Sequence, residues 1–547
     1  MATFANSAIA GEADDLARRF IAGHETEIRP LEIAVSLAWW NANVTGKDEA
    51  FQVKEAAQNR LDAALADRER FYRLKAAREA GVTDPTLKRE IDVLYLAYLE
   101  KQVDPALLRK ISAKANAVEK AFNAYRARVD GREMTDSEVR KVLKQSKDSG
   151  ERRKVWEGSK GVAPIVEADL KELVRLRNET ARALGFKNYH AMQLHLNEQS
   201  QEQVLKLFDE LDELTREPFR AAKAGVDTRL AANCGIGVDE LRPWHYHDPF
   251  FQEAPAVFAA DLDAAYAKLD ILKLCRDFYA GLGLPIADVI ERSDLYEKPG
   301  KSPHAFCTDI DRSGDVRVLA NIVPNEYWMG TMLHELGHSV YSSKNIPASL
   351  PYVLRTEAHI LTTEGVAMLF ERFSKDADWL LAMGVALDDP KEFDAVGNRM
   401  RRNKILIFSR WCQVMFRFEM GLYGDPDQDL NTLWWDLVEK YQMVKRPEGR
   451  NAPDYASKIH IVSAPAYYHN YMMGELFAAQ VHHAVCREVL NGIDPASAVY
   501  VGNKSVGDFI KERVFRPGRS LSWNALTRHA TGEELNAKAF AADFRGE

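Results

Sequence analysis

The chain has 547 residues, 46% hydrophobic and 28% charged, enough apolar sequence for a sizeable core and too much for wholesale disorder. Its 81 acidic and 73 basic residues leave a net charge of −8, so a nucleic-acid partner is not expected. No run approaches the roughly 18 continuous apolar residues of a membrane helix, so no membrane partner is expected either. Cys234, Cys275, Cys307, Cys412 and Cys486 form no close pairs, which argues against a disulfide framework and a thiolate metal site. That usage fits a reducing compartment, and with no basic-then-apolar leader at the N-terminus the expectation is cytoplasmic.

Helix dominates the pattern. Apolar residues recur at three and four over Phe51–Ala80, Leu87–Gln102, Pro105–Val129, Ser137–Gly158 and Pro164–Leu184, with helix starts at Asp136 and Ser200. Gly or Pro marks breaks near Gly81–Pro85, Gly131, Cys234–Gly237, Gly281–Pro285, Glu297–Pro303 and Tyr423–Asp429. Residues before Asn43 carry the weakest pattern. One segment is not helical. Val316, Val318, Ala320 and Ile322 alternate at period two, and Asp311-Arg-Ser-Gly is turn chemistry, so 303–310 and 316–323 read as a β-hairpin. No repeat and no low-complexity linker appears. The fold class expected is a mainly α, large two-lobed body with a deep central groove and a small β-hairpin beside the helix that follows it.

That helix carries His334-Glu335-Leu336-Gly337-His338, the pattern H-E-x-x-H. Residues four apart on a helix lie one turn above each other, so two imidazoles can grip one Zn²⁺ while Glu335 reaches a water beside it. Leu333, Leu336 and Val340 make the rest of the helix apolar, and buried imidazoles need a partner. Tyr341 and Lys344 stand where an extended H-E-x-x-H-x-x-G-x-x-H motif needs Gly and His, so the third ligand comes from elsewhere. Leu354–Lys375 reads as a second helix with Glu357, Glu364 and Glu371 seven apart on one face. Glu364, in the apolar middle, is the expected ligand. Glu357 is its rival and otherwise an acceptor behind a ligand imidazole; Glu371, near the end, reads as solvated.

Four local matches make the chain resemble the angiotensin-converting enzyme family of zinc dipeptidyl carboxypeptidases, and more distantly the thimet oligopeptidase and carboxypeptidase Taq groups. His304-Ala305-Phe306-Cys307 is similar to the family's His-Ala-Ser-Ala strand, and the motif at 334–338 to its His-Glu-Met-Gly-His. Asn345–Leu350 with Glu364 resembles the loop and helix that deliver the third ligand. Lys458-Ile-His460-Ile, Pro465 and Tyr468–Tyr471, followed by His482-His-Ala-Val-Cys486, resemble the family's Lys-Phe-His-Ile, Pro-Tyr-Ile-Arg-Tyr and His-Glu-Ala-Leu-Cys. The resemblance runs from about 303 to 486, with one further segment at Leu37–Thr45. It implies one peptidase unit over 1–547: a helical part at 1–300, a catalytic core at 301–486 and a helical end at 487–547. Asn470 stands where some members carry a chloride-binding arginine, and Met368 replaces an aspartate one turn after the zinc glutamate, a gap that Glu357 is expected to fill.

The chemistry expected is hydrolysis of short peptides with one Zn²⁺ per chain, held by His334, His338 and Glu364. Glu335 acts as base and then acid, and Tyr471 or His460 donates to the oxyanion. His304 and Ala305 hold an extended substrate at the hairpin; Lys458 and Tyr468 bind its C-terminal carboxylate and so release dipeptides. The alternatives are an oligoendopeptidase of the thimet type, a carboxypeptidase releasing single residues, or a helical scaffold that binds peptide without cutting it. Trp244–Asp248 offers two His and an Asp but reads as a loop lining the groove, and His482 and His483 read as structural.

Overall fold

The computed structural model describes residues 2–257 and 262–544, with side chains from residue 11 onward. Helices carry nearly all of the architecture, and the strands make two small antiparallel sheets of two strands each. The chain forms two units, each drawn from three separate stretches: Met1–Gln102, Asp261–Asp394 and Met473–Leu535 in the first, Val103–Ala260, Ala395–Met472 and Asn536–Glu547 in the second.

The first unit opens with helices Ala2–Glu27, Arg29–Thr45, Asp48–Leu65, Arg68–Glu79 and Pro85–Glu100. Residues 2–27 and 29–42, in the stretch of weakest pattern, are therefore helical. Phe51–Ala80 is two helices rather than one. The Asp67 side chain accepts the Arg70 amide at 2.7 Å, and this cap starts a new helix. Ile21, Ile28, Leu74, Ile91 and Tyr98 make a core here together with Val353 and Leu354. Gly46 ends the second helix at φ 63°, and a Cβ there would lie 1.8 Å from the Gly300 carbonyl oxygen. Only glycine allows both that turn and that approach.

The expected hairpin forms, shorter than read: Phe306–Asp309 pairs antiparallel with Val316–Leu319, Cys307 opposite Val318. The Asp311 carboxylate ties its turn by accepting the amides of Ser313 and Asp315. Trp39 and Trp40 rest their rings on Phe306, so the Leu37–Thr45 segment supports the hairpin.

The second unit holds helices Pro105–Ala124, Asp136–Gln145, Ser149–Lys160, Ala163–Ala183 and the 34-residue Gln201–Cys234. Pro105–Val129 does not run through as helix. Asp130 and Gly131, both at positive φ, turn Ala127–Val129 back onto Arg132–Met134 as a second hairpin. Ser137–Gly158 likewise splits, because Asp148 caps a new helix by accepting from Gly150 and Glu151. The helix start at Asp136 is set by a reciprocal Thr135–Glu138 cap. Ser200 caps the long helix as expected. The five cysteines are free thiols, and among the described residues no helix is long and apolar enough to cross a membrane.

Candidate metal centre

His334, Glu335 and His338 lie on helix Glu326–Val340, which starts where the Asn325 side chain accepts the Trp328 amide. Gly337 lets this helix press on its neighbour: a Cβ there would meet the Ala367 Cα at 2.9 Å. That neighbour is Ile360–Glu371, six residues shorter at its start than the pattern implies. His359 caps it by accepting the Leu361 amide, Thr362 accepts from His359 N–H, and the Tyr341 hydroxyl accepts the Ala358 amide. Helix His469–Glu488 holds the other side of it, where a Cβ on Gly474 would stand 3.3 Å from the Glu364 Cβ.

The packing brings one ligand atom each from His334, His338 and Glu364 within 4.8 Å of one another, and among the described residues this is the group of His, Cys, Asp and Glu side chains so arranged. The two Nε2 atoms stand 3.2 Å apart, and Glu364 Oε2 is 3.5 Å from His334 Nε2. Both Nδ1 atoms are engaged from behind. Glu371 Oε2 lies 2.9 Å from His334 Nδ1, and Thr363 Oγ1 lies 2.8 Å from His338 Nδ1. Engaged Nδ1 atoms leave both Nε2 lone pairs for a shared cation. Two imidazoles and one carboxylate with an acceptor behind each ring fit a catalytic Zn²⁺.

Here the expectation for Glu357 is corrected. It sits before the helix, hydrogen-bonded to Thr356 at 2.6 Å, and is neither in the cluster nor behind a ligand imidazole. Glu371, read as solvated, backs His334 instead. It and Glu364 are seven apart on a helix that really spans both. Met368 leaves no gap, because Thr363 serves the second ring.

Burial dominates the electrostatics. It opposes protonation of His334, yet the Glu364 and Glu371 carboxylates outweigh it and hold that imidazole well above its usual value. Burial pushes Glu364 up, but His334 and His338 hold it below the usual carboxylate range. Burial, helped by the charge on His334, drives His338 down to about 4. Burial lifts Glu335 to about 7 against the pull of His334, with the Cys307 backbone on the hairpin also favouring the charged form. His304 is exposed and Ala305 half-buried, just before strand Phe306–Asp309.

The other expected site residues belong to the second unit. Lys458 is buried, not solvated. Its ammonium meets Gln252 Oε1 at 2.5 Å and the rings of Phe250, Trp411 and Tyr468 at 5.2–5.5 Å. Burial pushes it down to about 8. His460 opens the short helix His460–Ser463 with its ring 5.3 Å from Tyr468, and its Nδ1 is buried without a partner among the described residues. Burial drives it to about 4. Tyr471 stacks edge-on against Tyr467, Tyr468 and Phe408. Asn470 accepts from Gln199.

Trp244–Asp248 is a buried turn. His245 bonds Ser149, and Asp248 accepts the amides of Phe250, Gln252 and Glu253. That carboxylate shapes the backbone that carries Gln252, a residue the sequence pattern did not single out. His482 is structural, bonded to Tyr500 and the Pro495 carbonyl.

Comparison with known proteins settles the family. The family model described as angiotensin-converting enzyme matches residues 12–219 and 247–546. This chain belongs to the angiotensin-converting enzyme family. It is thus a metallopeptidase, and the family likeness reaches far beyond the 303–486 stretch that carries the motifs. The chain is 20% identical to angiotensin-converting enzyme of Theromyzon tessulatum over 546 residues, covering 93% of this chain and 87% of that protein. It is 21% identical to the angiotensin-converting enzyme-related protein of Drosophila melanogaster, covering 92% and 85%. Against angiotensin-converting enzyme of Mesocricetus auratus it is 23% identical over 312 residues, 53% of this chain but only 23% of that longer protein.

Proposed function

We propose that this chain hydrolyses short peptides with one Zn²⁺ held by His334, His338 and Glu364, and releases dipeptides from the C-terminus. The observation that carries the reading is the convergence of those three side chains with Glu335 on the same helix. When bound, the ion supplies Lewis-acid polarisation of the scissile carbonyl and acidifies water. Glu335 takes the proton of the attacking water and returns it to the leaving amine, a role that its place on the ligand helix between His334 and His338 suits. Tyr471 and His460 are assigned to the oxyanion. The unpartnered His460 Nδ1 supports a ring free to offer a hydrogen bond.

Release of dipeptides rests on Lys458. Its buried ammonium pairs with the neutral Gln252 and faces aromatic rings; the charges of Asp248 and Glu253 reach it only at longer range, and no carboxylate is in hydrogen-bond reach among the described residues. The C-terminal carboxylate of a peptide supplies a direct partner for it, with Tyr468 beside it. Strand Phe306–Asp309, following His304 and Ala305, pairs on one edge only among the described residues, which supports addition of an extended substrate as a further strand.

The test is product analysis by mass spectrometry. Free-acid and C-terminally amidated peptides of about 5–15 residues, lengths suited to an enclosed site, are incubated with and without chelator. Successive loss of C-terminal dipeptides from the free acids alone, stopped by chelator, is expected. Internal cuts in both sets make the enzyme an oligoendopeptidase, loss of single residues a carboxypeptidase. No cuts with zinc bound leaves a peptide-binding scaffold.

A further inference from the structure

Away from the metal cluster, helices Ala2–Glu27 and Arg68–Glu79 line a groove of about 350 Å³ that is open to solvent on one side. That is within the range of small-molecule sites, roughly 300–1,000 Å³. Its lining has two characters. Arg19, Arg70 and Arg73 supply cationic heads, while Leu16, Phe20 and Ala76 supply an apolar surface. The positions on the first helix, 16, 19, 20, 23, 24 and 27, follow the helical period and form one face.

The cations are incompletely neutralised. Arg70 is clamped by Glu27, yet its Nη1 is buried with no partner among the described residues. Arg73 has only Glu69 at 3.9 Å among the described residues, both side chains well exposed, a pairing worth little. No partner of Arg19 is found among the described residues. His24, bonded to Tyr98 at 3.1 Å and pushed by burial to about 4, adds a neutral wall. Gly23 opens the space: it sits inside a helix, where glycine is disfavoured, and a Cβ on it would meet nothing within 4 Å.

We propose that this groove binds a small amphipathic carboxylate, a monoanionic head held by the guanidinium groups and a short apolar body laid on Leu16 and Phe20. Guanidinium forks match carboxylates in shape as well as charge. Glu27 within the rim disfavours a dianion, and the apolar floor gives an inorganic anion nothing.

Calorimetry on the full chain tests this with sodium octanoate, 1-octanol and inorganic phosphate as probes. The variants are R19E/R73E, two exposed side chains, and G23L, which fills the groove and raises helix propensity. Thermal melts verify that each variant folds. Octanoate is expected to bind once per chain, at least about tenfold more tightly than octanol. The double variant should weaken it at least about tenfold, and G23L should abolish it. No octanoate binding up to about 10 mM overturns the proposal. So does binding that neither variant changes, or phosphate binding that equals octanoate and responds to the same variants.

Discussion

Replacing Glu371 by Gln tests the arrangement of the metal centre most directly. The carboxylate lies 2.9 Å from His334 Nδ1, with the two side chains 28% and 19% exposed. The amide keeps the shape and an acceptor oxygen but removes the charge that orients the ring and raises its basicity. Losing such an outer partner typically lowers metal affinity about 10–100-fold, or about 1.4–2.7 kcal/mol. Partial burial of both groups places Glu371→Gln toward the middle of that range and Glu371→Ala, which also removes the acceptor, toward its top. Zinc affinity is read by titrating metal-free protein against a chromophoric chelator, with circular dichroism as the check on folding. Glu357→Gln is the control and should leave affinity unchanged, because Glu357 bonds its neighbour Thr356 and lies outside the cluster. If Glu371→Gln binds zinc as tightly as the parent, or Glu357→Gln loses as much, the assignment of Glu371 behind His334 is wrong.

Glu335→Gln should retain zinc and lose at least about 10²-fold in kcat, the lower range of general-base effects; turnover near the parent rate would contradict the proton-transfer role. Gly337→Ala should cost about 1–3 kcal/mol, because its Cβ would stand 2.9 Å from backbone at Ala367, and a thermal melt should show it as a lower Tm. Lys458→Ala should raise KM for free-acid peptides and leave amidated ones unaffected; an equal effect on both would remove the carboxylate anchor. Burial of Glu419, opposed by the Ala466 backbone and Arg177, raises its carboxyl to about 8 from 4.5. A raised folded value means stability fully present below pH 4.5 and lost as pH climbs through about 8, at up to about 1.4 kcal/mol per pH unit. Melts between those limits should fall more steeply for the parent than for Glu419→Gln, and parallel curves would count against a protonated Glu419.

The sequence alone determined the features whose physics is local. A four-residue spacing on an α-helix puts His334 and His338 on one face whatever surrounds them, and Glu335 beside them. Alternation at Val316–Ile322 with an Asp-Gly-bearing turn makes a hairpin by pleat and turn geometry, and the likeness to the angiotensin-converting enzyme family was legible in short motifs of the same local kind. Helix ends were less legible, because they depend on capping side chains. Asp67 and Asp148 each divided a pattern that periodicity alone runs together. Only the tertiary structure decided which glutamate backs His334. The answer turned on where helix Ile360–Glu371 begins, and a cap at His359 and a hydroxyl from Tyr341 set that start. It also decided the surroundings of Lys458, whose acceptor Gln252 lies 206 residues away in sequence. Periodicity reports which face of an element is apolar. It carries no record of which distant side chain completes a buried charge, because that pairing is made by packing.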